Sequence, residues 1–194
     1  MTKPNIIFLD IDGVLNSMDY MNALHFDAAL AQGLYRVNVQ DSHSIIRDKY
    51  GQHFDPRCVS YLQSIYNVTK CDFVISSTWN QAGLTTIQQM WIDRNLPGKV
   101  IDIIDCHDRA NAILRWLHEH DYVIIEHCWC IIDDETVFDA CIDKYWQQYQ
   151  IQPNFRFGLI RTDALNAIKW LHNISSDSML GPLDIIKLVK TFDK

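Results

Sequence analysis

Four apolar residues, Ile6 to Leu9, run straight into Asp10-Ile11-Asp12-Gly13. A strand that is apolar on both faces belongs in the middle of a sheet, covered on both sides. In a strand, successive side chains point to opposite faces. If the chain turns sharply after Asp10, with Gly13 supplying the freedom, both carboxyls converge on one pocket at the strand's carboxyl end. One carboxylate can then attack an electrophile while the other handles protons. The same residues also fit an ordinary Asp-Gly turn leaving the core. The remainder of the chain decides between the two.

That remainder alternates. Strands are expected at residues 5–10, 71–75, 100–104, 128–132 and 155–160. Helices are expected at 55–68, 84–94, 108–119, 136–147 and 164–172. Asp55-Pro56 marks a helix start, with Asp as cap and Pro at the first helical position. This order predicts an α/β fold: a Rossmann-like, three-layer arrangement with a central parallel sheet of about five strands and helices on both faces. Residues 1–194 read as one domain. Within it, 17–54 is a flap or small cap insertion, with a helix-like piece at 20–30 and a strand-like alternation at 35–39. Residues 173–178 read as a linker, and 183–189 as a last helix on the sheet's outer layer. In such sheets ligands bind beyond the carboxyl ends of the strands. Three polar clusters fall there: Asp10/Asp12, Ser76/Ser77 and Asp133/Asp134.

The formal net charge of −7 argues against a dominant non-specific nucleic-acid surface, which needs a basic face. No apolar run approaches the roughly eighteen residues of a membrane span, and the first strand is too short for a signal segment. A cytoplasmic protein with no membrane partner is expected. None of the six cysteines forms a C-x-x-C pair. Cys128 and Cys130 would face the same side of a strand, and with His107 and His127 they offer a conceivable zinc site. Reduced, buried thiols are the better account.

Four stretches resemble the haloacid dehalogenase (HAD) superfamily of phosphohydrolases. They are Phe8-Leu9-Asp10-Ile11-Asp12-Gly13-Val14, Ser76-Ser77, Arg109 at a helix start, and Ile131-Ile132-Asp133-Asp134-Glu135. More narrowly, Leu15-Asn16, Phe54-Asp55-Pro56 and Ser76-Ser77-Thr78-Trp79 look like the HAD domains of Swiss Army knife RNA-repair proteins.

The resemblance implies a Mg²⁺-dependent phosphatase that cleaves phosphate monoesters through an aspartyl-phosphate. Asp10 would be the nucleophile. Asp12 would protonate the leaving oxygen and then deprotonate the hydrolytic water. An acid at this second position favours phosphate over halide, because a halide leaving group needs no proton. Mg²⁺ would be held by Asp10, the backbone carbonyl of Asp12, Asp133 and Asp134. Ser76 would bind a phosphoryl oxygen, with Ser77 the alternative, and Asn16 would contact substrate. Arg109 would stabilise phosphoryl charge, with Lys99 as the competing cation. Trp79 could stack on a base or sugar, although core packing is the plainer use. The substrate would be a phosphorylated small molecule or a nucleic-acid end. A catalytically silent domain that binds a phosphorylated partner is the alternative, and loss of Asp10 or the metal acids would mark it. All of these acids are present.

Overall fold

A computed structural model describes residues 3–26, 47–122, 127–138 and 144–172. Five parallel strands form the central sheet: β1 (Ile6–Leu9), β4 (Asp72–Ile75), β5 (Val100–Ile103), β6 (Trp129–Ile132) and β7 (Gln150–Ile151), in the order β5-β4-β1-β6-β7. The first strand lies at the centre, and all four of its side chains are fully buried. Its alternating side chains feed two apolar clusters. Ile7 and Leu9 join Cys130, Ile132, Phe73 and Ile75. Ile6 and Phe8 join Trp129, Ile131 and Val74 on the other side. This two-sided burial is why the strand reads as a continuous apolar run.

The helix α1 (Met18–Phe26) packs Tyr20 in a small cluster of its own. The helices α2 (Pro56–Thr69), α3 (Leu84–Asp93), α4 (Arg109–Glu119), the short α5 (Lys144–Gln147) and α6 (Arg161–Leu171) cover the sheet. A 3₁₀ turn, Thr78–Ala82, follows β4. The amphipathic α4 lays Ala112, Ile113, Trp116 and Leu117 inward, where Trp116 meets Phe8 edge to face at 5.4 Å. Trp129 stacks on Tyr149 at 4.1 Å, and Trp146 packs against the same cluster. Among the described residues, no helix is long and apolar enough to cross a membrane.

Three expectations are corrected. Residues 155–160 are not a strand: the fifth strand is Gln150–Ile151. At 154–158 the chain makes a closed turn instead, bridging Asn154 to Gly158. The Asn154 side chain accepts from Arg156 N at 3.0 Å, and Gly158 takes φ +67°. These local bonds compete successfully with strand pairing. Helix does not begin at residue 136, because Val137 N donates to the Gln150 side chain at 3.1 Å. Cys128 and Cys130 do not share a side. The strand starts at Trp129, so Cys128 packs with one face and Cys130 with the other. Within the insertion, a minimal hairpin pairs β2 (Arg47–Asp48) with β3 (Gly51–Gln52). The alternation at 35–39, the linker at 173–178 and the helix at 183–189 lie outside the described residues.

The start of α2 is as expected. Asp55 is fully buried, and its carboxylate accepts from Arg57 N at 2.9 Å and from Ser17 Oγ at 2.8 Å. Asp55 N in turn donates to Leu15 O at 2.9 Å. One residue therefore caps the helix and pins the loop after β1. Asp55→Ala should lower stability by about 2–4 kcal/mol, since a cap is lost and a buried hydroxyl loses its acceptor. Urea denaturation reads this. A loss under ~0.5 kcal/mol would mean that the loop is held by something else.

Candidate active site

In-register pairing sets the site. Leu9 sits opposite Ile75 on one side and Ile132 on the other. The next residue of each strand, Asp10, Ser76 and Asp133, therefore forms a row across three neighbouring strand tips. The ladder extends into this row: Ser76 N donates to Leu9 O and Asp10 N to Ile132 O, both at 3.0 Å. The chain runs outward from β1 through β4 to β5, then returns to β1's other flank as β6. The row thus lies at the topological switch point.

After Asp10 the chain folds back tightly. Leu15 N and Asn16 N both donate to Ile11 O, at 2.7 and 3.0 Å, and Gly13 N donates to Asn16 O at 3.0 Å. Gly13 takes φ +81°, and any Cβ there would collide with the Asp134 carboxyl. Glycine is required here both for the turn and for the close approach of the second acid of β6. Carboxylate oxygens of Asp10, Asp133 and Asp134 lie within 4.8 Å of one another. Three hard oxygen donors at this spacing suit Mg²⁺. The Asp12 carboxylate is not part of this group.

Arg109, the first residue of α4, reaches into the acids. Its Nη1 donates to Asp133 Oδ2 at 2.5 Å and lies 3.6 Å from Asp10 Oδ2 and 3.7 Å from Glu135 Oε2. Lys99 instead precedes β5, at the opposite end of the sheet. It is mostly exposed and lies 3.8 Å from Asp72. Of the two candidate cations, the fold brings Arg109 to the row and leaves Lys99 away from it.

Asp10, Asp12, Gly13, Asn16, Ser77, Arg109 and Asp134 line an open cavity of about 740 Å³, joined by Met18, Thr78, Glu135 and Phe155. Ser77 lines it and Ser76 does not. The hydroxyls of both serines are buried without a hydrogen-bond partner of ordinary geometry. The Ser77 hydroxyl lies close enough to the Asp10 carboxyl to pull on its charge, so it belongs to the same polar group. Asn16 Oδ1 is likewise buried and unpartnered, while its Nδ2 donates to Asp12 Oδ1 at 3.0 Å. The other Asp12 oxygen accepts from Trp79 Nε1 at 3.0 Å. Trp79 also packs on Phe54, ring centroids 5.5 Å apart. Sequence reasoning missed this indole donor. An aromatic residue three positions beyond a strand tip carries no sign of where its N–H points.

Burial dominates the electrostatics. It raises the Asp133 carboxyl to about 7, helped by repulsion from Asp10 and opposed by Arg109. Burial and the Asp10 charge raise Asp134 to about 6. Burial also raises Asp10, against the pull of the nearby Ser77 hydroxyl and Arg109. Three carboxyls this close disfavour joint ionisation unless a cation is added.

These shifts have a definite sign. Both acids of β6 hold protons more tightly folded than unfolded, where such carboxyls titrate near 3.8. The metal-free chain should therefore lose stability as pH rises from about 4 to about 7. Urea midpoints measured with a chelator should fall across this window, and less steeply in Asp134→Asn. Equal slopes would show that Asp134 does not share the strain. Mg²⁺ affinity should rise over the same range, because protons compete for the ligands.

No curated protein and no solved structure gives a match to this chain. The model of one family, described as the HAD domain in Swiss Army Knife RNA repair proteins, matches residues 6–164. That span starts at β1, covers every strand of the central sheet and reaches into α6. With the acids at the tips of β1 and β6 falling inside it, the chain belongs to this family of HAD domains.

Proposed function

We propose that the protein is a Mg²⁺-dependent phosphatase that hydrolyses phosphate monoesters through an aspartyl-phosphate on Asp10. Membership of a HAD family supports a phosphohydrolase in general. The observation that carries the finer reading is the convergence of Asp10, Asp133 and Asp134 oxygens within 4.8 Å, beside Arg109, at the head of an open cavity.

Each side chain has a task that its position allows. Asp10 Oδ1 accepts from Ile11 N at 2.8 Å, which fixes the carboxylate and leaves Oδ2 to attack phosphorus. The attack forms an Oδ2–P bond and breaks the bond from phosphorus to the ester oxygen. Ser77 Oγ, beside the Asp10 carboxyl, donates to a phosphoryl oxygen. Arg109 lies near enough to Asp10 to balance charge gathered on the transferring group. Asn16 Oδ1 accepts a hydrogen bond from substrate or from an ordered water. Asp12, held between Asn16 and Trp79, sits one residue beyond the nucleophile's neighbour; it gives a proton to the departing oxygen and then takes one from the water that cleaves the acyl-phosphate. Asp10, Asp133, Asp134 and the Asp12 carbonyl would hold Mg²⁺. When bound, the ion neutralises the acids and draws charge from the phosphoryl oxygens.

The test is hydrolysis of an aryl phosphate with added Mg²⁺. Asp10→Asn should reduce the rate by about ten-thousandfold or more while the circular dichroism spectrum stays unchanged. A variant that keeps full activity would remove Asp10 as nucleophile. Asp12→Ala should slow alkyl monoesters by about 10²–10⁴-fold and aryl monoesters much less, since phenolate leaves without a proton. Equal losses on both classes would take the acid role away from Asp12. A folded wild-type chain that binds phosphate monoesters but cleaves none would favour the silent, partner-binding alternative.

A further inference from the structure

Several exposed large apolar side chains fall in the turn at 154–160 and at the start of α1, and two of them reach the cavity. Phe155 is 53 % exposed, Phe157 48 %, Met18 40 % and Ile160 40 %. Phe155 and Met18 both line the cavity that contains Asp10. Their placement is fixed by backbone bonds: Met18 N donates to Phe155 O and Asp19 N to Arg156 O, each at 3.1 Å. The turn itself is locked by Asn154, whose carbonyl accepts from Phe157 N and Gly158 N at 2.9 Å. An apolar face held rigidly in water beside a charged site is a surface built for contact.

The charges of the cavity narrow what that contact is. Asp10, Asp12, Asp134 and Glu135 line it, against the single cation Arg109 among the described residues. Arg109 is already engaged by Asp133. Nearby Arg156 is tied to Asp19 at 3.0 Å. No cation of the described lining is left to meet a second phosphate. Sites that track a polynucleotide backbone combine stacking aromatics with a positively charged groove, and the described lining holds only the aromatic half.

We propose, resting on the phosphatase reading above, that Phe155 and Met18 receive the alcohol part of the substrate. That part is flat and uncharged, and the whole molecule carries one phosphate: a nucleoside monophosphate rather than a strand with neighbouring phosphates. The base lies on the Phe155 ring while the phosphate reaches Asp10.

Three probes test this with Mg²⁺ present: adenosine 5′-monophosphate, ribose 5-phosphate and adenosine 3′,5′-bisphosphate. The wild type should show a KM for the monophosphate about ten- to hundredfold below that for ribose 5-phosphate, the range a stacked base supplies. The bisphosphate should have a higher KM than the monophosphate. In Phe155→Ala the ratio of the first two KM values should collapse toward one, and Phe155→Tyr should restore it. A ratio unchanged in Phe155→Ala overturns the assignment, as does a wild type that prefers the bisphosphate or ignores the base. A wild type that cleaves an aryl phosphate but none of the three overturns the assignment alone, and one that cleaves neither fails the phosphatase reading on its own. The three probes are then compared by calorimetric binding, where tighter binding of the monophosphate than of ribose 5-phosphate upholds the platform and equal binding overturns it.

Discussion

Parallel pairing of β1 with both β4 and β6, in register at Leu9, is the constraint on which the rest depends. Side chains in a strand alternate, so a slip of one residue would send every side chain to the opposite face. The apolar residues of β1 fill clusters on both faces, and each cluster recruits its own alternate residues from β4 and β6. A slip would force Trp129 and Cys130 to exchange sides, which two differently shaped cores would not accept. Core packing thereby sets which polar residue stands at each strand tip. The acids themselves do nothing to stabilise their grouping. Burial and repulsion from Asp10 raise the carboxyls of Asp133 and Asp134, and the hydrophobic sheet holds them together against that opposition.

Strain of this kind is characteristic of a site rather than of a scaffold. Arg109 relieves part of it by pairing with Asp133 and approaching Asp10. Ser77, whose hydroxyl pulls on the Asp10 carboxyl, and Asn16, whose Oδ1 is buried without a partner, both line the same cavity. Asp12 is arranged differently. Each of its oxygens has a neutral donor, Asn16 on one side and Trp79 on the other. Two adjacent acids are thus given separate surroundings, one among charges and one among dipoles, and their chemistry can differ accordingly.

Much of this was legible in the sequence because it follows from short-range rules. The apolar run of β1, the Asp-Pro start of α2 and the acids directly after β6 each join a local pattern to one physical cause. What escaped depended on tertiary contact or on very short elements. β7 has only two residues, too few for any periodicity, while the apolar residues of 155–160 imitated a strand. Nothing in their spacing shows that Asn154 and Gly158 close a turn there. Which of Ser76 and Ser77 lines the cavity, and which of Lys99 and Arg109 reaches the acids, depends on tertiary placement that no local pattern carries. The indole N–H of Trp79 and the exposed ring of Phe155 belong to the same category, because aromatic residues enter sequence patterns as bulk and not as direction.

The turn at 154–158 also buttresses the loop after β1: Leu159 N donates to Val14 O at 2.8 Å, and a Cβ on Gly158 would press on that same carbonyl. The chain's first functional loop is therefore completed by a segment some 140 residues later in synthesis. Because translation delivers the amino end first, Asp10 is made early, but the acids after β6 and this brace come only when nearly all of the matched region has left the ribosome. The row of strand-tip acids thereby stays incomplete until the polypeptide around it is almost whole.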